Sequence, residues 1–428
     1  MWSLLLQVIR LHNKMKIIFV LLQISLISTS FLNETYKIKS LLNKYKNSLQ
    51  CNRIKRCTDL DKSLDAFVEK TVNFFGKSQR FGEVLSYMNV SECVKSDGVL
   101  EDSSYIKRHI LDGLLLEHNV SESHWHEYKS VYNKKYPTQR HEMAAQSNWL
   151  ENLRRVAEHN RRYLAGELSY SLHLNHFGDL GVTEYFKKIL KLFDTIPLFD
   201  SAEDRRKTTY RNIIHRKTPL KVDWRSKGFK PRLEEQHKCG ACYAFAVAHA
   251  VQAQLYKRHG DWSELSPQQI VDCSIVDGNM GCDGGSLRAA LRYVAREGLL
   301  MERHYPYTGK RGRCRISAHR GNVRPRRWAM LPAGDEEGME RALATIGPLP
   351  VGINASPFTF QLYRSGIYDD PFCFPWTLNH AMLLVGYTPD YWVLLNWWGK
   401  KWGEGGYMRI RRGSNRCGVA NMAAYVEL

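Results

Sequence analysis

The chain has 428 residues, 43% of them hydrophobic, enough for two or three domains with at least one large core, which excludes a wholly disordered protein. Its formal charge of +19 bears on solubility and on acidic partners, not on fold. No internal period of solenoid or propeller type is present. Ten cysteines leave disulfides, a zinc site and redox chemistry all open until the compartment is known.

The N-terminus speaks to the compartment. Arg10, Lys14 and Lys16 precede the apolar run Ile17 to Ile27, which gives way to Ser28-Thr29-Ser30. A basic flank, a short apolar core and small residues make a secretory signal, assigned here to residues 1–30, with Met15 as an alternative start. The run is short for a bilayer span, and nothing later reaches about 18 uninterrupted apolar residues, so no stable membrane insertion is expected. Export directs the product to a lysosomal or extracellular destination. It also gives meaning to the glycosylation tripeptides at Asn33, Asn89 and Asn119, whereas Asn354 is a poorer acceptor because Pro357 follows it.

Residues 31–123 form a polar, basic extension with helices expected around Leu64 to Phe75 and Ile106 to Leu116; its function is not legible. Cys51, Cys57 and Cys93 are an odd number, so one pair plus a free or intermolecular thiol is expected. Residues 124–217 read as a charged helix, a short extended piece and a basic, protease-accessible linker from 186. Within that helix Trp149, Leu153, Val156 and Tyr163 share one face. From Thr218 to Leu428 tryptophan, glycine and cysteine rise together, and seven of the ten cysteines lie there. The eight basic residues between Lys310 and Arg327 are read as solvated loop charge, with no nucleic acid expected.

In Gln236-His-Lys-Cys239-Gly-Ala-Cys242-Tyr-Ala-Phe245, the second cysteine opens a buried-type helix from Tyr243 to Arg258, with Lys257, Arg258 and His259 before Gly260 at its end. A thiol at a helix N-terminus has its thiolate favoured by backbone N–H groups and the macrodipole, which makes Cys242 a candidate nucleophile. By itself the CxxC pair reads equally as nucleophile, disulfide partner or metal ligand. A redox pair would want a thioredoxin-like context and a zinc site a second close Cys/His pair; neither is evident.

Downstream, His380 opens the strand-like run Ala381 to Tyr387, and Tyr391 to Asn396 is a second such run after Thr388-Pro389-Asp390. A hairpin centred on Thr388 makes His380 and Asn396 face each other. Asn396 can then fix the imidazole tautomer and leave the other nitrogen for a thiol.

With those three residues in place the sequence resembles the papain-like cysteine peptidases, most closely their cathepsin L branch. The resemblance spans Thr218 to Leu428 and runs through ordered landmarks: Val222-Asp-Trp-Arg225, Leu265-Ser-Pro-Gln-Gln-Ile-Val-Asp-Cys273, Gly281-Cys-Asp-Gly-Gly285, Tyr305-Pro-Tyr307, Leu378-Asn-His-Ala381, Asn396-Trp-Trp-Gly399, Trp402-Gly403 and Cys417-Gly-Val-Ala420. His380 and Asn396 follow Cys242 by 138 and 154 residues. The resemblance implies an α+β, two-lobed fold, with a helical left lobe carrying the nucleophile, an antiparallel barrel-like right lobe carrying His and Asn, and a mainly helical prodomain in front. It implies that Gln236 joins the Cys242 N–H in an oxyanion hole, that Trp398 shields the His380–Asn396 pair, and that Trp402 lines the leaving-group side. It also implies that Gly284 and Gly285 pair with substrate backbone, and that Leu287, Gly352, Leu378 and Met422 form an uncharged main pocket, hence an apolar preference at the second residue before the cut.

No insertion like a cathepsin B-type occluding loop follows Gly285, which favours endopeptidase action. The implied disulfides are Cys239–Cys282, Cys273–Cys314 and Cys373–Cys417, leaving Cys242 unpaired; no metal and no cofactor are implied. The implied partners are protein and peptide substrates, the chain's own prodomain and cystatin-type inhibitors, with the enzyme a monomer.

Upstream, Trp149, Asn152, Val156 and Asn160, then Asn175-His-Phe177-Gly-Asp179, resemble the family's inhibitory prodomain. Together these imply a zymogen cut near Arg216 to Thr218. His141 and Ala145 stand where an acid and an arginine are usual. His237 replaces a glycine, Tyr243 a tryptophan and Trp397 a serine. These departures set out a second reading, a catalytically weak homologue acting as a binding or inhibitory protein.

Overall fold

The structure is a computed structural model that describes residues 122–193, 217–260, 263–316 and 323–428. The signal, the extension with its three cysteines, Asn33, Asn89, Asn119 and the linker from 194 to 216 lie outside the described residues. Val120–His159 and Leu168–Leu428 form one compact unit. Asn160–Glu167 belong to a second, within which Arg162 pairs with Glu167 at 3.1 Å after the last helical turn.

The chain enters through α1 (Glu122–Val131) and the long α2 (Gln139–Leu164). Trp149, Leu153 and Val156 follow one another at helical spacing over two turns of α2 and are all buried, the stripe their spacing predicts. The acid and the base expected at His141 and Ala145 are supplied by other residues here. His141 is exposed and touches Thr138, and Ala145 is packed away. Glu142 instead pairs with Lys129 and accepts from Trp125 Nε1, while Asp179 gathers Lys134 (2.6 Å), Tyr136 (2.8 Å) and Tyr128 (3.1 Å). The Lys129 ammonium lowers the Glu142 carboxyl pKa. Asn152 caps this arrangement by donating to the carbonyls of Gly178 and Leu180.

β1 (Tyr170–Leu172) and α3 (Val182–Ile189) follow, then β2 (Val222–Asp223). Next come α4 (Cys242–His259), α5 (Pro267–Cys273) and α6 (Leu287–Glu297). α4 is buried on every side from Cys242 to Gln254, as expected of a helix rich in alanine and apolar residues all round. It stops where Gly260 takes φ 72°, with the basic side chains of Lys257, Arg258 and His259 in its last turn.

The rest of the chain supplies β3 (Arg327–Met330), α7 (Glu336–Thr345), β4 (Leu349–Ile353), α8 (Phe358–Gln361), β5 (Tyr363–Tyr368), β6 (His380–Tyr387), β7 (Tyr391–Leu395), β8 (Tyr407–Arg411) and β9 (Ala424–Glu427). The main sheet runs β1-β5-β8-β7-β6-β2, with β4 also on β6, and β3 pairs with β9. β6 is buried at all eight positions, and pairing with β4 and β7 satisfies its backbone.

The hairpin register differs from the expected one. Leu383 faces Leu395 and Leu384 faces Leu394, which centres the pair on Pro389 rather than Thr388. Asn396 therefore stands diagonal to His380, two positions off the opposing residue and on the same face. Disulfides join Cys239–Cys282, Cys273–Cys314 and Cys373–Cys417, and Cys242 is free.

Candidate active site

Cys242 is the first residue of α4, and no side chain caps that end, so the sulfur is left among unpaired N–H groups. It meets backbone N–H groups of Ala381, Tyr243 and Lys191. Contact with Ala381, the neighbour of His380, brings the start of β6 against the start of α4. Because Cys239 is bonded to Cys282, the CxxC sequence is neither a redox pair nor half of a zinc site.

The tautomer of His380 follows from its neighbours. The Trp397 backbone N–H donates to Asn396 Oδ1 at 2.8 Å, and an N–H can only donate, so that atom is the amide oxygen. His380 Nε2 lies 2.8 Å from the same oxygen and must carry the proton. His380 Nδ1 is then the lone-pair nitrogen, and it is buried without a hydrogen-bond partner. The Trp398 ring stacks on the imidazole at 4.6 Å, and Trp402 meets Trp398 edge-on at 5.0 Å. Burial pushes the Cys242 thiol up to about 12 and His380 down to about 4, in the latter case against the Asn396 bond. Both groups are therefore neutral in this state.

The chain's own segment after α3 lies against Cys242, with the Lys191 backbone hydrogen-bonded to the sulfur. Lys191 to Phe193 lie along Gly284 and Gly285. The Leu192 N–H donates to Asn379 O (2.9 Å), the Phe193 N–H to Gly285 O (3.1 Å), and the Gly285 N–H to Lys191 O (3.2 Å). Gly284 has φ 116°, and a Cβ there would stand 2.1 Å from Lys191 O, so only glycine permits this approach. The Leu192 side chain fills a pocket beside Gly352 and Met422, where a Cβ on Gly352 would meet it at 3.1 Å. Leu287 is fully buried, and Leu378 is packed against the core. Sequence reading placed 186–217 in a linker; its first residues are instead α3 and this cleft-filling strand. Its backbone bonds carry no side-chain signature, so no motif marks it.

Gln236 is buried, held through its backbone N–H to Trp397 O (2.9 Å) and its carbonyl to Tyr307 OH (2.9 Å). Its Nε2 donates to Cys239 O at 3.0 Å, leaving a second amide hydrogen, while Oε1 is unpartnered. His237 does occupy the left-handed region, φ 54°, with its ring exposed near Glu235. Tyr243 fits where a tryptophan is usual by donating to Gly281 O (3.1 Å). Trp397 stacks on Phe245 (5.4 Å), meets His249 at a tilt (4.7 Å) and donates Nε1–H to Ala381 O (3.0 Å). Asn354 is buried with Nδ2 bonded to Phe374 O, so its amide is closed to glycosylation.

The family model for papain family cysteine proteases matches residues 218–427, and that for the cathepsin propeptide inhibitor domain matches residues 125–185. Cathepsin S of Bos taurus is 36% identical over 312 residues, spanning 71% of this chain and 92% of that protein. The chain belongs to the papain family of cysteine proteases. Cathepsin L of Sarcophaga peregrina is 35% identical over 309 residues, covering 70% of this protease and 91% of its relative. Digestive procathepsin L 3 from the larval midgut of Tenebrio molitor superposes with a TM-score of 0.66 at 32% identity, covering 72% of this protease and 99% of that chain. The protease has the α+β, two-lobed papain-like fold and is a cysteine endopeptidase zymogen carrying an intramolecular inhibitor. No helix among the described residues is long and apolar enough to cross a membrane.

Proposed function

We propose that Cys242, His380, Asn396 and Gln236 carry out peptide-bond cleavage once the segment at Lys191 to Phe193 is removed. Water then re-enters, the desolvation that keeps both groups neutral falls away, and the helix N-terminus favours a Cys242 thiolate beside protonated His380. The sulfur attacks the substrate carbonyl, and the oxyanion takes the Cys242 N–H and the free amide hydrogen of Gln236. His380 passes its proton from Nδ1 to the leaving amine, then accepts one from the water that opens the thioester. Trp398 keeps water from the His380–Asn396 bond. Trp402 borders the leaving-group side, and Gly284 and Gly285 bind substrate backbone.

The observation that carries this reading is the orphaned, lone-pair Nδ1 of His380 on a ring fixed by Asn396. In the zymogen the sulfur meets the Lys191 N–H, which offers no carbon to attack. The pocket of Leu287, Gly352, Leu378 and Met422 takes an apolar side chain, a reading supported by Leu192 lying beside Gly352 and Met422. The enzyme acts as a monomer within the secretory route, in lysosomes or outside the cell, and is open to cystatin-type inhibitors. A thiol-directed epoxide tests the reading: processed protein should be labelled, Cys242→Ala should not, and equal labelling of the two would refute it.

A further inference from the structure

The loop between β5 and β6 carries three aromatic side chains turned to solvent. Phe372 is 73% exposed, Phe374 46% and Trp376 75%. Solvent exposure of this much aromatic surface on one short loop has no role in holding the fold together. The side chains are also held in place. Phe374 and Trp376 stack at 5.3 Å with planes 7° apart. The loop backbone is pinned just before the pair by the Cys373–Cys417 disulfide, and within it by Asn354 Nδ2 donating to Phe374 O (2.8 Å) and Asn421 Nδ2 donating to Pro375 O (2.7 Å).

Those anchors adjoin the residues of the proposed pocket in the chain. Asn421 precedes Met422, which closes the Leu192 pocket, and Leu378 follows Trp376 by two residues. A Cβ on Gly418 would meet both Pro375 O (2.3 Å) and Leu378 Cδ2 (2.8 Å), so loop and pocket wall are packed as one piece. Asn379, next along, receives the Leu192 N–H. Chain order therefore runs from the aromatic pair, through the pocket wall at Leu378 and the backbone contact at Asn379, to His380.

Resting on the peptidase reading above, we infer that Phe374 and Trp376 form an aromatic ledge that continues the substrate cleft beyond the main pocket, selecting peptides with an aromatic or large aliphatic side chain at the third or fourth residue before the cut. The ledge adds recognition only for chains long enough to reach it, and it contributes through ring contact with no new charge. Its continuity with the surface already covered by Lys191 to Phe193 makes a substrate its occupant, rather than a lipid surface or a second copy of the chain.

The test uses processed enzyme and three fluorogenic substrates sharing one apolar dipeptidyl core: the core alone, and the core extended at its N-terminus by Phe-Phe or by Ser-Ser. The quantity read is kcat/KM for the extended substrate over that for the dipeptidyl one. The Phe-Phe ratio should exceed the Ser-Ser ratio by about fivefold to tenfold. Trp376→Ser with Phe374→Ser should bring the two ratios together, and Trp376→Phe should keep most of the difference. Equal ratios in the wild type, or a difference that survives the double substitution, would overturn the ledge. So would unchanged ratios alongside loss of vesicle binding or self-association in the same variants, which would assign the patch to those occupants. Failure of the peptidase reading looks different: the dipeptidyl substrate itself would then go uncut.

Discussion

His237→Gly isolates a strained residue beside the proposed oxyanion site. His237 sits at φ 54°, where an L-residue pays about 1–2 kcal/mol relative to the right-handed regions. Glycine does not pay this, but it loses roughly 0.5–1 kcal/mol to its greater unfolded-state freedom. The side chain itself holds little: its 3.6 Å contact with Glu235 joins two exposed groups. The net expectation is a gain of about 0.5–1 kcal/mol, or roughly 1–3 °C in melting temperature for a domain this large. Catalysis should change little, because Gln236 is fixed independently on both backbone sides, by Trp397 O and Tyr307 OH. Differential scanning fluorimetry and kcat/KM of the processed variant measure the two effects. A lowered melting temperature would refute the strain argument. A rise of about tenfold or more in kcat would show that His237 displaces Gln236.

Other outcomes follow from the same geometry. With its thiol pushed up to about 12, Cys242 in the unprocessed protein should be about a thousandfold less reactive to iodoacetamide at pH 7 than an ordinary exposed cysteine. Leu192→Asp should partly restore that reactivity before processing, since it removes about 1.5–3 kcal/mol of side-chain burial from the inhibitory contact; alkylation followed by mass spectrometry reads both. Asn396→Ala removes the bond that orients His380 and should lower kcat of the processed enzyme by about tenfold or more. Glu234 is raised to about 8 by burial and by Glu302 and Glu264, against Arg232. Its folded-state pKa thus lies above the unfolded one, so its contribution is intact below about pH 4.5 and is lost as pH rises towards 8. Glu234→Gln should therefore raise the melting temperature at pH 7.5 and leave it nearly unchanged at pH 4.

The helix that presents Cys242 was readable because its residues are apolar around the whole circumference and a basic turn and glycine mark its end. The His380–Asn396 pair was readable for a subtler reason. The predicted hairpin centre is off by one residue, yet that error shifts the partner by two positions and keeps it on the same face, where a diagonal contact still closes at 2.8 Å. The prodomain network was less legible. Its acid comes from Glu142, one position beyond His141, and a periodic pattern does not say which of two neighbouring polar residues reaches Lys129. The strand from Lys191 to Phe193 left no sequence mark because two N–H groups and one carbonyl make its cleft bonds. Exposure of Phe372, Phe374 and Trp376 was equally hidden, since apolar residues around a cysteine read as core.

The central claim is that one thiol does the chemistry. Processed protein at acid pH, given an apolar dipeptidyl fluorogenic substrate, should release fluorophore, and processed Cys242→Ala should release none. Equal rates from the two proteins, or no hydrolysis by either after confirmed processing, would contradict the account.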